Sequence, residues 1–195
     1  PLNFHATQCE KPELIFENNH MEVLSFPLNH RIATTGFLFR EKPALRKVNK
    51  DKALEIKVPA WAYEKIRKGE DFVAEDGSIY QNSELTFDPP PPRSYAYCSD
   101  TAYYEPVIQT IKDADLLYHE ATFMNDREAN AKEKFHSTAA QAARIARLAG
   151  AKKLLIGHFS ARYDELEPIL NEAKVEFGES YLAEEGMTFS IPQLT

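Results

Sequence analysis

The part of the chain after Arg93 alternates short apolar runs with amphipathic segments, and this alternation constrains the fold more than any other feature. The runs SYAYC, DLLYH and KKLLIG predict strands, and the segments between them predict helices. Thr138 and Gln141 form a capping-box pattern at the start of one helix, which Gly150 ends. Strands that alternate with helices are typically parallel, so their carboxyl ends meet at one edge of the sheet. We therefore predict an α/β fold with the functional residues at that edge.

The remaining segments complete the predicted organisation. Residues 13–39 predict a meander of the strands ELIF, MEVLSF and TGFLF. Near the C-terminus Asp164 and Glu167 repeat the capping pattern, and SYLA and MTFSI predict two closing strands. Proline and glycine interrupt residues 40–93, which predicts an inserted arm with little core of its own. We expect a single domain over residues 1–195 that carries this arm.

Composition narrows the class of protein. The 195 residues are 43% hydrophobic and 27% charged, which is typical of a globular chain and excludes a disordered one. The sequence has neither an apolar run of roughly 20 residues nor a secretion signal, so we predict a cytoplasmic protein without a membrane partner. Cys9 and Cys98 are far apart and predict two ordinary thiols. Because the first residue is Pro1 and not Met, we expect the chain to be a fragment.

Charge is distributed unevenly along the chain. The net charge of −7 argues against general nucleic-acid binding, yet residues 40–68 hold ten basic against four acidic residues, a net of +6. Trp61 and Tyr63 lie within this stretch, and cations mixed with aromatic rings suit an RNA backbone with exposed bases. A solvated, lysine-rich surface is an equally good explanation. The candidate RNA-binding residues are Arg46, Lys47, Lys50, Lys52, Lys65, Arg67 and Lys68.

Three predicted strands end in side chains that bind metals or transfer protons. These are Asp100, the neighbours His119 and Glu120, and His158, while His136 precedes the capped helix and His30 follows a strand of the meander. Taken singly, an aspartate there is usually a helix cap and a histidine is usually a hydrogen-bonded structural residue. Taken together, imidazole and carboxylate groups from separate strands are the ligands that zinc selects. We therefore predict a metal site at this edge.

At these residues the sequence resembles the ribonuclease Z family, which comprises tRNA 3′-processing endoribonucleases of the metallo-β-lactamase superfamily. The motifs are PLNHRIATTGF, YCSDT, LLYHEATF, FHSTAAQAA and LIGHFSARY, in the family's order and spacing, and they match its C-terminal two-thirds. The resemblance implies a metallo-β-lactamase-like four-layer αβ/βα sandwich, incomplete at the N-terminus. It also implies two zinc ions per active site, precursor tRNA as the substrate and a homodimer.

The resemblance further implies a role for each candidate residue. His30 and His158 match ligands of the first and second zinc ion, and Asp100 matches the carboxylate that bridges them. His136 matches the histidine that protonates the departing 3′ oxygen, and Glu120 matches the carboxylate that orients it. The residues that match a phosphate-positioning stretch are Ser160, Arg162 and Tyr163, for which packing beneath the site is an equally good explanation. The basic arm matches a segment that grips tRNA away from the active site.

One family motif does not occur in these 195 residues. HxHxDH supplies further metal ligands in the family, and its absence leaves the predicted zinc sites with an incomplete ligand shell. We therefore expect a partial chain that is inactive by itself. Two alternatives stay open beside the endoribonuclease: a related metallo-phosphodiesterase on a small or cyclic-nucleotide substrate, and a catalytically inactive RNA-binding fragment.

Overall fold

The computed structural model describes residues 3–192, so Pro1 and the prediction based on it lie outside the described residues. The chain folds into two compact units. The first comprises the described residues up to Glu41 together with Arg93–Pro192, and the second comprises Lys42–Pro92. The strands are β1 (Glu13–Glu17), β2 (Met21–Leu28), β3 (Thr34–Glu41), β4 (Lys47–Val48), β5 (Phe72–Val73), β6 (Ile79–Tyr80), β7 (Thr86–Phe87), β8 (Ser94–Cys98), β9 (Leu116–Glu120), β10 (Leu154–Gly157) and β11 (Ser180–Leu182). The helices are α1 (Lys50–Glu55), α2 (Tyr63–Arg67), α3 (Asn82–Leu85), α4 (Val107–Thr110), α5 (Glu128–Lys134), α6 (Ala139–Ala149) and α7 (Glu167–Glu176).

A seven-stranded mixed sheet forms the first unit, in the order β1-β2-β3-β8-β9-β10-β11. The β1, β2 and β3 strands pair antiparallel, which confirms the predicted meander. From β8 to β11 every pairing is parallel, which confirms the predicted parallel strands and brings their carboxyl ends to one edge. The second sheet of a four-layer sandwich stays a prediction.

Helices α4, α6 and α7 cover one face of this sheet and bury its main core. The capping box of α6 is confirmed, because the Thr138 hydroxyl accepts from the Gln141 N–H and the Gln141 side chain accepts from the Thr138 N–H. Gly150 ends the helix in the left-handed region at φ 68°. Alanines at 142, 143 and 146 are fully buried, and α6 contacts both β9 and β10. These small side chains let the helix backbone approach the sheet closely.

Two predictions near the C-terminus were wrong. The α7 helix has Leu166 as its N-cap without a side-chain cap, because the helix begins three residues beyond Asp164, at Glu167, and Pro168 occupies its first turn. MTFSI forms no strand within the described residues, since no strand pairs with it. Instead the Ile191 carbonyl accepts a hydrogen bond of 3.1 Å from the Arg93 guanidinium.

The second unit has a small core of its own, so the prediction of little core was wrong. Its apolar side chains come from short elements without a clear period, and they meet only once the chain folds. Asn82 is buried beside them and donates to the carbonyls of Ile66 and Glu70 at 2.6 and 2.8 Å. The core residues are Ala53, Val58, Ala62, Ile66, Phe72 and Leu85.

Glu41 and Arg93 join the two points where the chain leaves the first unit and returns to it. The Glu41 N–H donates to the Arg93 carbonyl at 2.8 Å, and the Glu41 carboxylate accepts from the Arg93 N–H and guanidinium. This side-chain hydrogen bond to Arg93 lowers the pKa of Glu41. A long insertion can thus leave the sheet without disrupting the pairing of β3 with β8. None of the described helices has the length and apolar character to cross a membrane.

Candidate active site

The polar residues at the carboxyl edge of the sheet converge. Asp100 follows β8, Glu120 ends β9, His158 directly follows β10, and His136 lies just before α6. One ligand atom from each of these four residues lies within 4.8 Å of the corresponding atoms of the others. Parallel pairing of the three strands, in register, is the physical reason for this convergence.

Glu120 is fully buried at the centre of this group and accepts four hydrogen bonds. Oε1 accepts from the Thr101 N–H at 2.6 Å and from His136 Nδ1 at 2.8 Å. Oε2 accepts from the Thr122 hydroxyl at 2.6 Å and from the Ser137 N–H at 3.1 Å. Since both oxygens are fully engaged, this carboxylate anchors its neighbours instead of offering a free ligand atom.

His136 and Glu120 form a polarised pair. The hydrogen bond to Glu120 raises the pKa of His136, although partial burial opposes that rise. Burial alone would raise the pKa of Glu120, but its hydrogen bonds from His136 and Thr122 hold that pKa below its usual value. The Nδ1–H of His136 points to the carboxylate, so Nε2 carries the exchangeable proton. The pair can therefore donate a proton to a group next to Nε2.

A second pair, His158 and Asp100, faces solvent beside the first. His158 Nδ1 lies 2.8 Å from the Thr122 hydroxyl oxygen. Because that hydroxyl donates its own hydrogen to Glu120, it accepts from the Nδ1–H, so the neutral His158 ring has its lone pair on Nε2. Nε2 lies 3.3 Å from Asp100 Oδ1. An imidazole nitrogen and a carboxylate oxygen that face each other in this way can both bind the same divalent cation.

The backbone at both residues is unusual. Asp100 has φ 56° and His158 has φ 59°, in the left-handed region that residues other than glycine seldom adopt. Such conformations persist where the surrounding structure holds them, and they cluster at functional sites.

His30 lies next to the four residues. Its Nδ1 is 3.1 Å from the Phe135 carbonyl, which can only accept, so Nε2 again keeps its lone pair. The His30 ring centroid lies 5.4 Å from that of His136. By contrast, His119 points into the core: it is 1% exposed, and its Nδ1 donates to the Glu120 carbonyl at 2.8 Å. Burial lowers the pKa of His119, which is therefore a neutral structural residue.

The three candidate phosphate-positioning residues, Ser160, Arg162 and Tyr163, have different surroundings. The Tyr163 hydroxyl accepts from the Met124 N–H at 2.9 Å and its ring packs against the core, which favours the packing role. Arg162 is exposed, donates to Ser160 Oγ at 3.0 Å and lies 5.2 Å from the centroid of the Phe123 ring. That ring is 6.4 Å from the His136 ring. Arg162 thus supplies a cation near the site.

Sequence reasoning missed the hydroxyl groups and the N–H donors that fix this arrangement. Thr122 connects Glu120 to His158, and Thr101 and Ser137 supply backbone donors to Glu120. Their positions in the sequence could have indicated them, because each lies within two residues of a candidate site residue.

The seven candidate RNA-binding cations of the second unit fall into two groups. Three have local partners: Arg46 pairs with Asp88, Lys52 with Glu55 and Lys68 with Glu64. The other four are exposed, and their side chains have no partner among the described residues; they are Lys47, Lys50, Lys65 and Arg67.

Comparison with known proteins identifies the class. Residues 36–159 match the family model of the beta-lactamase superfamily domain, which is more than half of the chain. The chain therefore belongs to the beta-lactamase superfamily and has its metallo-β-lactamase fold. The structure of a metallo-β-lactamase fold protein from Bacillus subtilis, YhfI, aligns with 95% of this chain and 55% of its own, with a TM-score of 0.59 and 19% identity. That likeness concerns the fold alone.

More specific similarities are to ribonuclease Z. The chain is 44% identical over 192 residues to ribonuclease Z of Bacteroides thetaiotaomicron, covering 98% of this chain and 61% of the relative. It is 44% identical to the Porphyromonas gingivalis protein, covering 97% and 62%. The human tRNase Z short form has a TM-score of 0.58 and 28% identity, covering 94% of this chain and 48% of its own. The chain thus spans about three fifths of the length of the curated relatives it matches.

Proposed function

We propose that this chain belongs to an endoribonuclease of the ribonuclease Z type, which removes the 3′ trailer from precursor tRNA by zinc-dependent phosphodiester hydrolysis. One observation carries the proposal: a proton-donating pair, His136 and Glu120, lies directly beside a cation-binding pair, His158 and Asp100. Hydrolysis of a phosphodiester needs both functions, because charge on the phosphate must be neutralised while the leaving oxygen is protonated. The names of the similar proteins agree with this reading.

Zinc fits the donor set. The residues that would hold it are His30 and His158, through Nε2, and Asp100, through its carboxylate, and these are nitrogen and oxygen donors of the kind zinc selects. When bound, two zinc ions would supply Lewis-acid activation of water and neutralise charge on the scissile phosphate. The hydrogen bond at Nδ1 holds each imidazole in the required tautomer and fixes the orientation of the ring.

His136 would protonate the departing oxygen. Its Nε2 is the ring nitrogen left unused by the hydrogen bond to Glu120, and that hydrogen bond raises the pKa of His136, which favours the protonated form that the transfer needs. Transfer of this proton to the 3′ oxygen yields tRNA with a 3′ hydroxyl and leaves a neutral imidazole beside the ionised carboxylate. Arg162 would neutralise part of the phosphate charge from the exposed side.

We propose that the second unit contacts tRNA. Four of its cations have no side-chain partner among the residues that the structure describes, and they would attract the sugar-phosphate backbone without reading sequence. On the same resemblance we propose residues 40–93 as the tRNA-binding arm, a homodimeric assembly and a cytoplasmic location.

The test uses the protein expressed from its complete gene. Native mass spectrometry measures chain mass and bound metal, and a labelled precursor tRNA is then incubated with the protein. We expect two zinc ions per chain and one cut that yields mature-length tRNA with a 3′ hydroxyl, and we expect a chelator to abolish the cut. Hydrolysis of a cyclic nucleotide without tRNA cleavage would establish the phosphodiesterase alternative. Metal-independent tRNA binding without cleavage would establish the RNA-binding alternative.

A further inference from the structure

A cavity of about 670 Å³ opens beside His136. Side chains of α5 and of the segment after Asp100 form part of its wall. His136 is the one member of the four-residue cluster that lines it; Asp100 and His158 do not. The cavity therefore lies on the side of the proton donor, which is where the leaving group of the proposed reaction departs. Its volume lies within the range of roughly 300–1,000 Å³ that is usual for small-molecule sites.

The side chains around the cavity have the chemistry of a ribonucleotide site. Tyr103 and Phe135 supply aromatic rings, which stack on bases. Lys132 supplies an exposed ammonium group and Asn29 a half-buried amide, and neither side chain has a partner among the described residues. Glu128 adds an acceptor suited to a ribose hydroxyl or an amino group.

Phe135 supports the assignment independently, through its backbone. It ends α5 in the left-handed region, with φ 59° and ψ 42°, a conformation that is rare for a bulky residue. Glycine or asparagine would end the helix at lower cost. An aromatic residue occupies this position although the backbone conformation disfavours it, and its ring is half-buried on the cavity wall next to His136.

We propose that this cavity binds the nucleoside on the leaving-group side of the scissile phosphate, that is, the last nucleotide of the mature tRNA. Its base stacks on Tyr103 or Phe135, its 5′ phosphate pairs with Lys132, and its 3′ oxygen lies next to His136. This assignment rests on the proposed function for the identity of the RNA, but ribonucleotide binding by the cavity can be measured without cleavage.

The first experiment is an NMR titration of the protein with adenosine 3′,5′-bisphosphate. We expect saturable binding that weakens about tenfold in Phe135→Gly, which suits the backbone but removes the ring, and about fivefold in Lys132→Ala. The matched controls are Phe135→Tyr, which keeps a ring, and Lys134→Ala, which removes a charge from the same helix but not from the cavity wall; both should bind within twofold of the unaltered protein. With adenosine 3′-monophosphate the effect of Lys132→Ala should disappear, because its phosphate partner is gone.

Absence of saturable binding, or equal binding by all four variants, would overturn the proposal. The second arm tests RNA as the source of the nucleotide: KM for precursor tRNA should rise in Lys132→Ala relative to Lys134→Ala. Weakened bisphosphate binding with an unchanged KM would mean that the cavity takes free nucleotides, which also overturns it. Binding as predicted by a protein that cuts no tRNA would reject the proposed function and support the ribonucleotide cavity.

Discussion

The carboxyl edge of the main sheet and the surface of the second unit both hold charged side chains, but they hold them in opposite ways. At the sheet edge, His30, His136 and His158 each have Nδ1 fixed by one acceptor, and Glu120 uses both oxygens. In the second unit, four cations are exposed without a partner among the described residues. Chemistry at a single atom requires the fixed geometry, whereas attraction to a phosphate backbone requires only charge. The two regions should therefore respond differently to mutation and salt.

His136→Ala should cause the largest effect. Removal of a proton donor typically lowers turnover by about 10²- to 10⁴-fold, so we expect kcat for precursor tRNA to fall in that range while KM changes little. Steady-state kinetics on a labelled precursor tRNA measure both quantities. If kcat and the affinity for tRNA fell equally, His136 would be a binding residue and the contrast between the two regions would disappear.

Thr122→Val should have the next largest effect, through zinc affinity. Loss of the hydroxyl removes the acceptor that fixes the His158 tautomer, and loss of such a partner typically weakens metal binding by about 10- to 100-fold. Competition with a chromophoric chelator measures the affinity. Thr122→Ser is the matched control, because it keeps the hydroxyl and should bind zinc almost normally. Equal affinity in both variants would show that the hydrogen bond does not tune the site.

Replacement of Lys47, Lys50 and Lys65 by alanine should have a smaller and different effect. We expect weaker binding of precursor tRNA and a salt dependence whose slope falls by about 1 for each cation that contacts a phosphate. Filter binding at several salt concentrations measures the slope. The variant with alanine at Lys52 and Lys68 is the control, since those cations already pair with Glu55 and Glu64. An unchanged slope in the first variant would favour the solvated-surface explanation.

Glu41→Gln should produce the smallest effect, on stability alone. Arg93 lowers the pKa of Glu41, so the pair stabilises the fold above the usual carboxyl pKa of about 4.3, and this contribution is lost as pH falls through the lower folded value. Both side chains are about one third exposed, which limits the expected loss of Tm to roughly 1–2 °C at pH 7. Thermal unfolding at pH 7 and pH 3 checks this. A difference in Tm that did not shrink between pH 7 and pH 3 would point to packing instead of charge.

The sequence alone predicted the order of elements where the local signals agree. The β8, β9 and β10 strands and the capped start of α6 follow from apolar runs and from Thr138 and Gln141, because these patterns act over a few neighbouring residues. Local signals failed where a contact from a distant part of the chain decides the outcome. Asp164 has the residue type of a cap, but α7 begins beyond it, and MTFSI alternates like a strand but pairs with no strand in the part of the chain that the structure describes.

The site shows the same division between local and distant information. The identities of Asp100, Glu120, His136 and His158, and their places after strands or before a helix, were readable from the sequence because parallel strands end at one edge. What each atom does was decided only by the tertiary structure. Thr122 holds Glu120 and His158 together, and the Phe135 carbonyl fixes His30 across 105 positions of sequence. Hydrogen bonds act over about 3 Å in space and leave no signal in a one-dimensional pattern. The sequence therefore indicated the chemistry, while folding decided that Nδ1 of each histidine is hydrogen-bonded and that Nε2 is the nitrogen left for chemistry.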